Sequence, residues 1–352
     1  MSVDTAPSSN PPGIEVDAVT RWFTQHAPQF QPPFTFDALP GGHSNLTYRV
    51  TDAAGATCVF RRGPLGHVLP TAHDMGREFR AIHALGPTRV PVPHAIGLCD
   101  DISVTGAPFY VMGHVEGVVL HDVASTAALP VALRGVTSES IFDVLGELHA
   151  VDIDEVGLDS HGKRTGYVER QLRRWYQQYT AMKSTEVPSV DQAYEKLIAS
   201  IPTQQRSAVV HGDFRLGNCI TNITTGKIAA VLDWEISTLG DPMADLGYLV
   251  TTWVRTPGQV GNGNETAAPT LADGFSDIEP LVARYAASSG LDISDLPWYT
   301  AFNHWKGACI IQGVVTRYRG GAKGAEGLDL SIFDQSVVDR SGAALHMLNS
   351  LS

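Results

Sequence analysis

Hydrophobic and polar positions change their period near Gly113, and the change divides the chain. Over residues 15–30, Val16, Val19 and Phe23 recur at helical spacing and predict a short amphipathic helix. Residues 34–39, 46–51 and 57–62 are short, β-branched or aromatic segments. The second alternates through Leu46, Tyr48 and Val50, so the three are expected as antiparallel strands. Within residues 72–85, Met75, Phe79, Ile82 and Leu85 align on one helical face, and Gly86-Pro87 stops that helix. Two apolar runs, residues 95–98 and 108–112, flank a turn-rich stretch and predict a hairpin that closes the sheet.

Beyond Gly113 the pattern is mainly helical. Ile141, Val144, Leu145 and Leu148 share a face, residues 167–182 form a longer polar helix, and residues 297–318 form a late helix rich in aromatics. Two short strands interrupt, residues 219–222 and 228–232, around a turn at Thr224, Thr225 and Gly226. Helical periodicity resumes at Met243, Leu246, Leu249, Val250 and Trp253. The Gly-, Asn-, Thr- and Pro-rich residues 256–277 read as a mobile surface loop. The expected fold class is α+β and bilobal: a disordered lead-in over 1–14, a sheet lobe with a crossing helix over 15–113, and a helical lobe over 114–352.

Length agrees, since 352 residues exceed the usual single core. With 43% hydrophobic and 18% charged residues the composition is that of a soluble globular protein, and no apolar run of about eighteen residues could span a bilayer. The first residues lack the basic start and apolar centre of a secretory signal, so a cytoplasmic location is expected. The four cysteines form no C-x-x-C pair and are expected as reduced buried thiols. A formal net charge of -12, without a basic stripe, excludes nucleic acid as a natural partner. No residue pattern speaks to oligomeric state.

Chemistry concentrates in His211-Gly212-Asp213-Phe214-Arg215-Leu216-Gly217-Asn218, followed after the hairpin by Leu232-Asp233-Trp234-Glu235. Asp213 and Asn218 have the spacing of a kinase catalytic loop, in which the carboxylate takes or orients the acceptor hydroxyl's proton and the amide oxygen holds magnesium. Asp233, ending an apolar strand, supplies a carboxylate for the metal. Phosphoryl transfer is mostly positioning and charge neutralisation, and magnesium prefers such hard oxygens. Singly, each residue could be a turn former or strand-end cap. The chain has no G-x-x-x-x-G-K-[ST] loop, no G-x-S-x-G elbow and no H-E-x-x-H helix, which argues against P-loop and hydrolase chemistry.

These residues resemble the aminoglycoside phosphotransferase and choline kinase superfamily, whose signature is H-G-D-x-x-x-x-N followed by a strand ending in aspartate. Gly240-Asp241-Pro242-Met243-Ala244-Asp245-Leu246 is similar to the family's G-D-P-x-x-D-L segment, with Asp241 reading as an N-cap before Pro242 and Asp245 as structural. Gly41-Gly42-His43-Ser44-Asn45, Arg61-Arg62-Gly63-Pro64 and Arg77-Glu78-Phe79 resemble most the kinase-like domains fused to acyl-CoA dehydrogenases. The resemblance implies a protein-kinase-like fold, ATP and Mg2+ as cofactors, transfer to a hydroxyl of a small molecule, and a supporting role for His211.

On the nucleotide side, Gly41, Gly42, Ser44 and Asn45 could bring backbone N–H groups to phosphate, or could form a simple hairpin turn. The lysine of the wider superfamily is missing from the third strand. Arg61 is expected to replace it, with Arg62 as the alternate, and Glu78 to orient it. Adenine is expected at an interlobe hinge formed by the backbone of Gly113, His114 and Val115. Arg170 and Arg174, four apart on one helix, suggest an acceptor with an acidic or acyl group in preference to a polycationic aminoglycoside. A rival reading is a nucleotide-binding pseudokinase that acts as a regulatory module.

Overall fold

The alternation in the first third of the chain folds into one five-stranded antiparallel sheet. A computed structural model describes residues 10–39, 45–65, 74–262, 267–321 and 329–351. Helix α1 (Val16–His26) stops short of the expected residue 30, because Pro28 disfavours helical backbone at Ala27, which takes φ −138°. Strands β1 (Thr35–Ala38), β2 (Leu46–Thr51) and β3 (Thr57–Arg62) follow, then helix α2 (Met75–Leu85) and strands β4 (Ala95–Cys99) and β5 (Phe109–Gly113). Their order is β1-β2-β3-β5-β4, so the closing hairpin forms as expected, with β5 inside and β4 at the edge.

Trp22 and Phe23 of α1 pack against Phe34, Phe60, Phe109 and Val111. Each such burial removes enough apolar surface from water for roughly 1.5–3 kcal/mol. Gly97 permits this packing, since a Cβ there would lie 2.9 Å from the Trp22 ring. Helix α2 opens with Asp74 accepting from the Arg77 N–H at 2.9 Å. It buries Met75, Ile82 and Leu85 as the pattern requires, but turns Glu78 fully inward and leaves Phe79 half-buried.

This sheet unit comprises Met1–Glu116 together with Leu232–Glu235, and the second unit comprises Gly117–Val231 and Ile236–Ser352. Among the described residues the second unit contains β6 (Val118–Val119), α3 (Val131–His149), α4 (Tyr167–Met182), α5 (Pro188–Ala199), β7 (Ala208–Val210), β8 (Cys219–Thr221), β9 (Ile228–Val231), β10 (Thr238–Gly240), α6 (Pro242–Thr252), α7 (Ile278–Ser289), α8 (Leu296–Arg319) and α9 (Leu330–Ser350). The fold is therefore bilobal α+β, with an antiparallel sheet in the N-terminal lobe and a largely helical C-terminal lobe. Two small sheets, β6-β8-β9 and β10-β7, carry the motif-bearing segment.

The β8–β9 turn forms where Thr224, Thr225 and Gly226 predict it. The Asn222 carboxamide accepts from both threonine N–H groups at 2.9 Å, and Gly226 takes φ +75°. Helices α6 and α8 touch at Gly247, where a Cβ would fall 2.8 Å from the Tyr299 backbone. The described residues of 256–277 are not simply a surface loop. Asn262, Ala268, Thr270 and Phe275 are buried, because the Asn262 amide donates to Thr251 Oγ1 and the Asn303 carbonyl, and the Thr270 hydroxyl donates to the Val254 carbonyl. The four cysteines are free and buried. No described helix is long and apolar enough to cross a membrane.

Candidate active site

In the second unit, β7 delivers the chain to His211 and a turn that only glycine tolerates well, Gly212 at φ +86°. The turn is held from below by Asp245 on α6. Its carboxylate accepts from the His211 N–H at 2.6 Å and the Gly212 N–H at 2.8 Å, and His149 Nε2 lies 3.5 Å away. Burial alone would raise the Asp245 pKa, but the neighbouring histidines and the backbone donors hold it below the ordinary value. Asp241 caps α6, accepting from the Met243 N–H at 3.1 Å and the Tyr299 hydroxyl at 2.6 Å.

This scaffold presents Asp213, whose carboxylate is gripped at both oxygens. Asn218 Nδ2 donates to Asp213 Oδ2 at 2.7 Å and to its carbonyl at 2.8 Å. The Tyr248 hydroxyl donates to Oδ1, and Arg215 Nε lies 3.4 Å from the same atom. Because the amide nitrogen of Asn218 is committed to Asp213, its oxygen is the atom left for a ligand. Tyr248 and Arg215 were not singled out from the sequence. Tyr248 could have been found as the inward position one helical turn after Ala244. A cleft beside this loop is lined by Leu120, His121, Arg215, Gly217, Thr252 and Pro269.

In the first unit, Arg61 and Glu78 pair as expected, at 3.0 Å from Nε to Oε2. Strand alternation separates the two arginines. Arg61 also donates to Thr47 Oγ1 and lies 2.9 Å from Asp233 Oδ1, whereas Arg62 donates to the carbonyls of Gly13 at 2.6 Å and Thr105 at 2.9 Å. Arg62 therefore ties down the N-terminal segment, and Arg61 alone joins the acidic cluster. Glu78 is 1% exposed, and burial pushes its pKa up while Arg61 opposes the shift. The Tyr110 hydroxyl and Asn45 Nδ2 donate to it at 2.9 and 3.3 Å. For Arg61, burial lowers the pKa but Glu78, Tyr110 and Asp233 more than reverse it.

Asp233 has φ +66°, a left-handed conformation costing roughly 1–3 kcal/mol in a non-glycine residue. Its carboxylate lies with those of Glu78 and Glu235 such that one oxygen of each falls within 4.8 Å of the others. Three hard oxygen donors in this arrangement fit a divalent cation such as magnesium. Glu235 was not singled out from the sequence, although it lies two residues beyond Asp233 on a segment read as metal-bearing.

The remaining sequence-derived candidates fall as follows. Gly41, Gly42 and Ser44 lie outside the described residues; Asn45 is buried, with an Oδ1 that has no hydrogen-bond partner. Gly113 ends β5 opposite Cys58, and His114 and Val115 leave the sheet just beyond it. Arg170 is turned onto its own helix start, donating to the carbonyls of Thr165 and, at 2.9 Å, Lys163. Arg174 is exposed and rests over the Trp175 ring, 5.5 Å from its centroid. The two arginines thus share a face but not a task.

Residues 35–286 match the phosphotransferase enzyme family abbreviated APH. Acyl-CoA dehydrogenase family member 10 of Mus musculus is 36% identical over 278 residues, covering 78% of this chain and 26% of the relative. Acyl-CoA dehydrogenase family member 11 of Rattus norvegicus is 33% identical over 322 residues, covering 89% of this chain and 41% of the relative. The chain thus spans well under half the length of these curated relatives. Among solved structures, a candidate aminoglycoside phosphotransferase from Ralstonia eutropha superposes with a TM-score of 0.81 at 30% identity, covering 96% of this chain and 98% of that one. The GDP complex of aminoglycoside 2'-phosphotransferase-IIIa shares the fold, with a TM-score of 0.60 at 15% identity over 93% and 98% of the two chains.

Proposed function

Because the chain belongs to the phosphotransferase enzyme family, and is related to the kinase-like part of acyl-CoA dehydrogenase family members 10 and 11, we propose that it is a kinase that moves the γ-phosphoryl group of ATP to a hydroxyl of a small molecule. The observation that carries this reading is the doubly gripped carboxylate of Asp213. Asn218 and Tyr248 fix both oxygens, so an incoming hydroxyl meets a base whose orientation is already set. Asp213 accepts the acceptor's proton as the oxygen attacks phosphorus, and the departing group is ADP.

Magnesium, when bound, would neutralise charge on the phosphate oxygens; Asp233 and Glu235 of the first unit are carboxylates that would hold it, and the Asn218 amide oxygen is the further ligand that the catalytic-loop spacing implies. Arg61 contributes a fixed positive charge toward the nucleotide phosphates, and Glu78, locked by Tyr110 and Asn45, keeps that guanidinium in place. Beyond β5, the backbone at Gly113, His114 and Val115 reads the edge of adenine. Retention of all these groups favours an enzyme over a regulatory pseudokinase.

The acceptor class follows from charge. Arg215 Nε lies 3.4 Å from Asp213 Oδ1 and places a positive charge beside the base, which favours an acidic or acyl-bearing hydroxyl compound over a polycationic amine as the proposed substrate. The test is a metabolite extract incubated with the protein, magnesium and γ-labelled ATP, read by mass spectrometry. Label in a hydroxylated acid or acyl compound is expected. ATP turnover with no labelled metabolite, or label appearing only on aminoglycosides, would contradict the reading.

A further inference from the structure

Among the described residues, the second unit buries a lysine ammonium that no carboxylate pairs with. Lys306 on α8 is 8% exposed and makes no hydrogen bond or ion pair with any described residue. Its ammonium lies 5.9 Å from the centroid of the Tyr248 ring. A cation over an aromatic face gains roughly 0.5–2 kcal/mol, less than the several kcal/mol that taking an ammonium largely out of water costs. The nearby carboxylates are already occupied. Asp245 accepts from two backbone N–H groups, and Asp213 from Asn218 and Tyr248. Burial lowers the Lys306 pKa, Asp245 and Asp213 raise it, and Arg174, the exposed arginine above, lowers it. Two unpaired cations thus act on one region, and Tyr248 connects Lys306 to Asp213: its ring lies beneath the ammonium and its hydroxyl bonds the carboxylate.

We infer that Lys306 is an acceptor-binding residue that pairs with a carboxylate of the substrate and so places a hydroxyl of the same molecule at Asp213. This rests on the reading of Asp213 as the residue that receives the acceptor. It replaces Arg170, whose guanidinium is used by its own helix start, with a buried cation that has no other task. The ligand class is a hydroxy acid whose two functional groups span the Tyr248 ring. Arg174 extends the positive field toward solvent, where the acid enters.

The experiment compares linear hydroxy carboxylates of increasing length with their primary amides, in the full chain as wild type, Lys306→Met and Lys306→Arg. Wild type is expected to favour acid over amide by about tenfold or more in kcat/KM, the scale of one charge-assisted hydrogen bond. Lys306→Met should raise KM for the acid by a similar factor and erase the preference for acid over amide, with KM for ATP unchanged, and Lys306→Arg should restore part of the loss. Thermal unfolding with the same acids and no nucleotide gives a readout independent of turnover: a rise in Tm that the amides and Lys306→Met lack. Equal handling of acid and amide by wild type overturns the inference, and needs no variant to fold. If no acceptor yields product, the phosphotransferase reading fails by itself. The thermal shift then decides: stabilisation by acids that depends on Lys306 supports the site, and its absence overturns it.

Discussion

Asp245→Asn should loosen the catalytic loop in a way whose size follows from two hydrogen bonds. The carboxylate is 1% exposed and accepts the His211 and Gly212 N–H groups on separate oxygens. An asparagine can keep one of these acceptors and must turn an NH2 toward the other donor. One charge-assisted bond worth about 1.5–3 kcal/mol is lost, and a buried N–H is left unsatisfied at about 1–3 kcal/mol. The two overlap, and a net loss near 3 kcal/mol is expected, which for a protein of this size lowers Tm by roughly 4 °C.

The pH dependence gives a sharper test. The folded pKa of Asp245 is depressed, so its contribution is fully present above the unfolded value near 4 and is lost as pH falls through the lower folded value. The gap between wild type and variant should therefore be widest at neutral pH and narrow below about pH 4. Urea titrations monitored by tryptophan fluorescence at several pH values measure it. A gap under about 1 kcal/mol at neutral pH, or one that widens in acid, would refute the role assigned to this carboxylate.

Arg61→Ala leaves Glu78 buried without its cation and should cost about 3–5 kcal/mol, while Arg61→Met combined with Glu78→Met should recover most of it; chemical denaturation of the three proteins decides. In Asp233→Ala, magnesium should no longer tighten ATP binding, which titration calorimetry with and without the metal would show; normal tightening would remove Asp233 from the ligand set. Gly247→Ala drives a methyl group into the Tyr299 backbone 2.8 Å away and should destabilise the α6–α8 contact by about 1–3 kcal/mol in thermal unfolding.

What could be read from the sequence was what short-range pattern encodes. The alternation of β2 and the turn at Thr224, Thr225 and Gly226 each depend on a few neighbouring residues and form where expected, and the D-x-x-x-x-N spacing sets Asn218 within hydrogen-bond reach of Asp213. Helices α5, α7 and α9 were not assigned, and the burial of Asn262, Ala268, Thr270 and Phe275 was missed, because they are fixed by distant partners such as Asn303 for Asn262. The choice between Arg61 and Arg62 was open for the same reason. Neighbours on a strand face opposite ways, and only the position of α2 decides which one meets Glu78. Tyr110 and Tyr248 donate to carboxylates far along the chain, and Lys306 lies over the distant Tyr248 ring, so their spacing carries no motif. Arg170 shows the converse: a helical spacing suited to anion recognition is absorbed by the carbonyls of the preceding loop.

The central claim is that Asp213 receives the proton of an acceptor hydroxyl during phosphoryl transfer from ATP. Its most direct test is single-turnover transfer from γ-labelled ATP to the acceptor found in the metabolite screen, in wild type and in Asp213→Asn, with nucleotide affinity measured on the same samples. Asparagine retains the oxygen that Tyr248 bonds and cannot take a proton. Labelled product should therefore form at least about a hundredfold more slowly while ATP binding stays near wild type. Transfer at the wild-type rate by Asp213→Asn would contradict the claim.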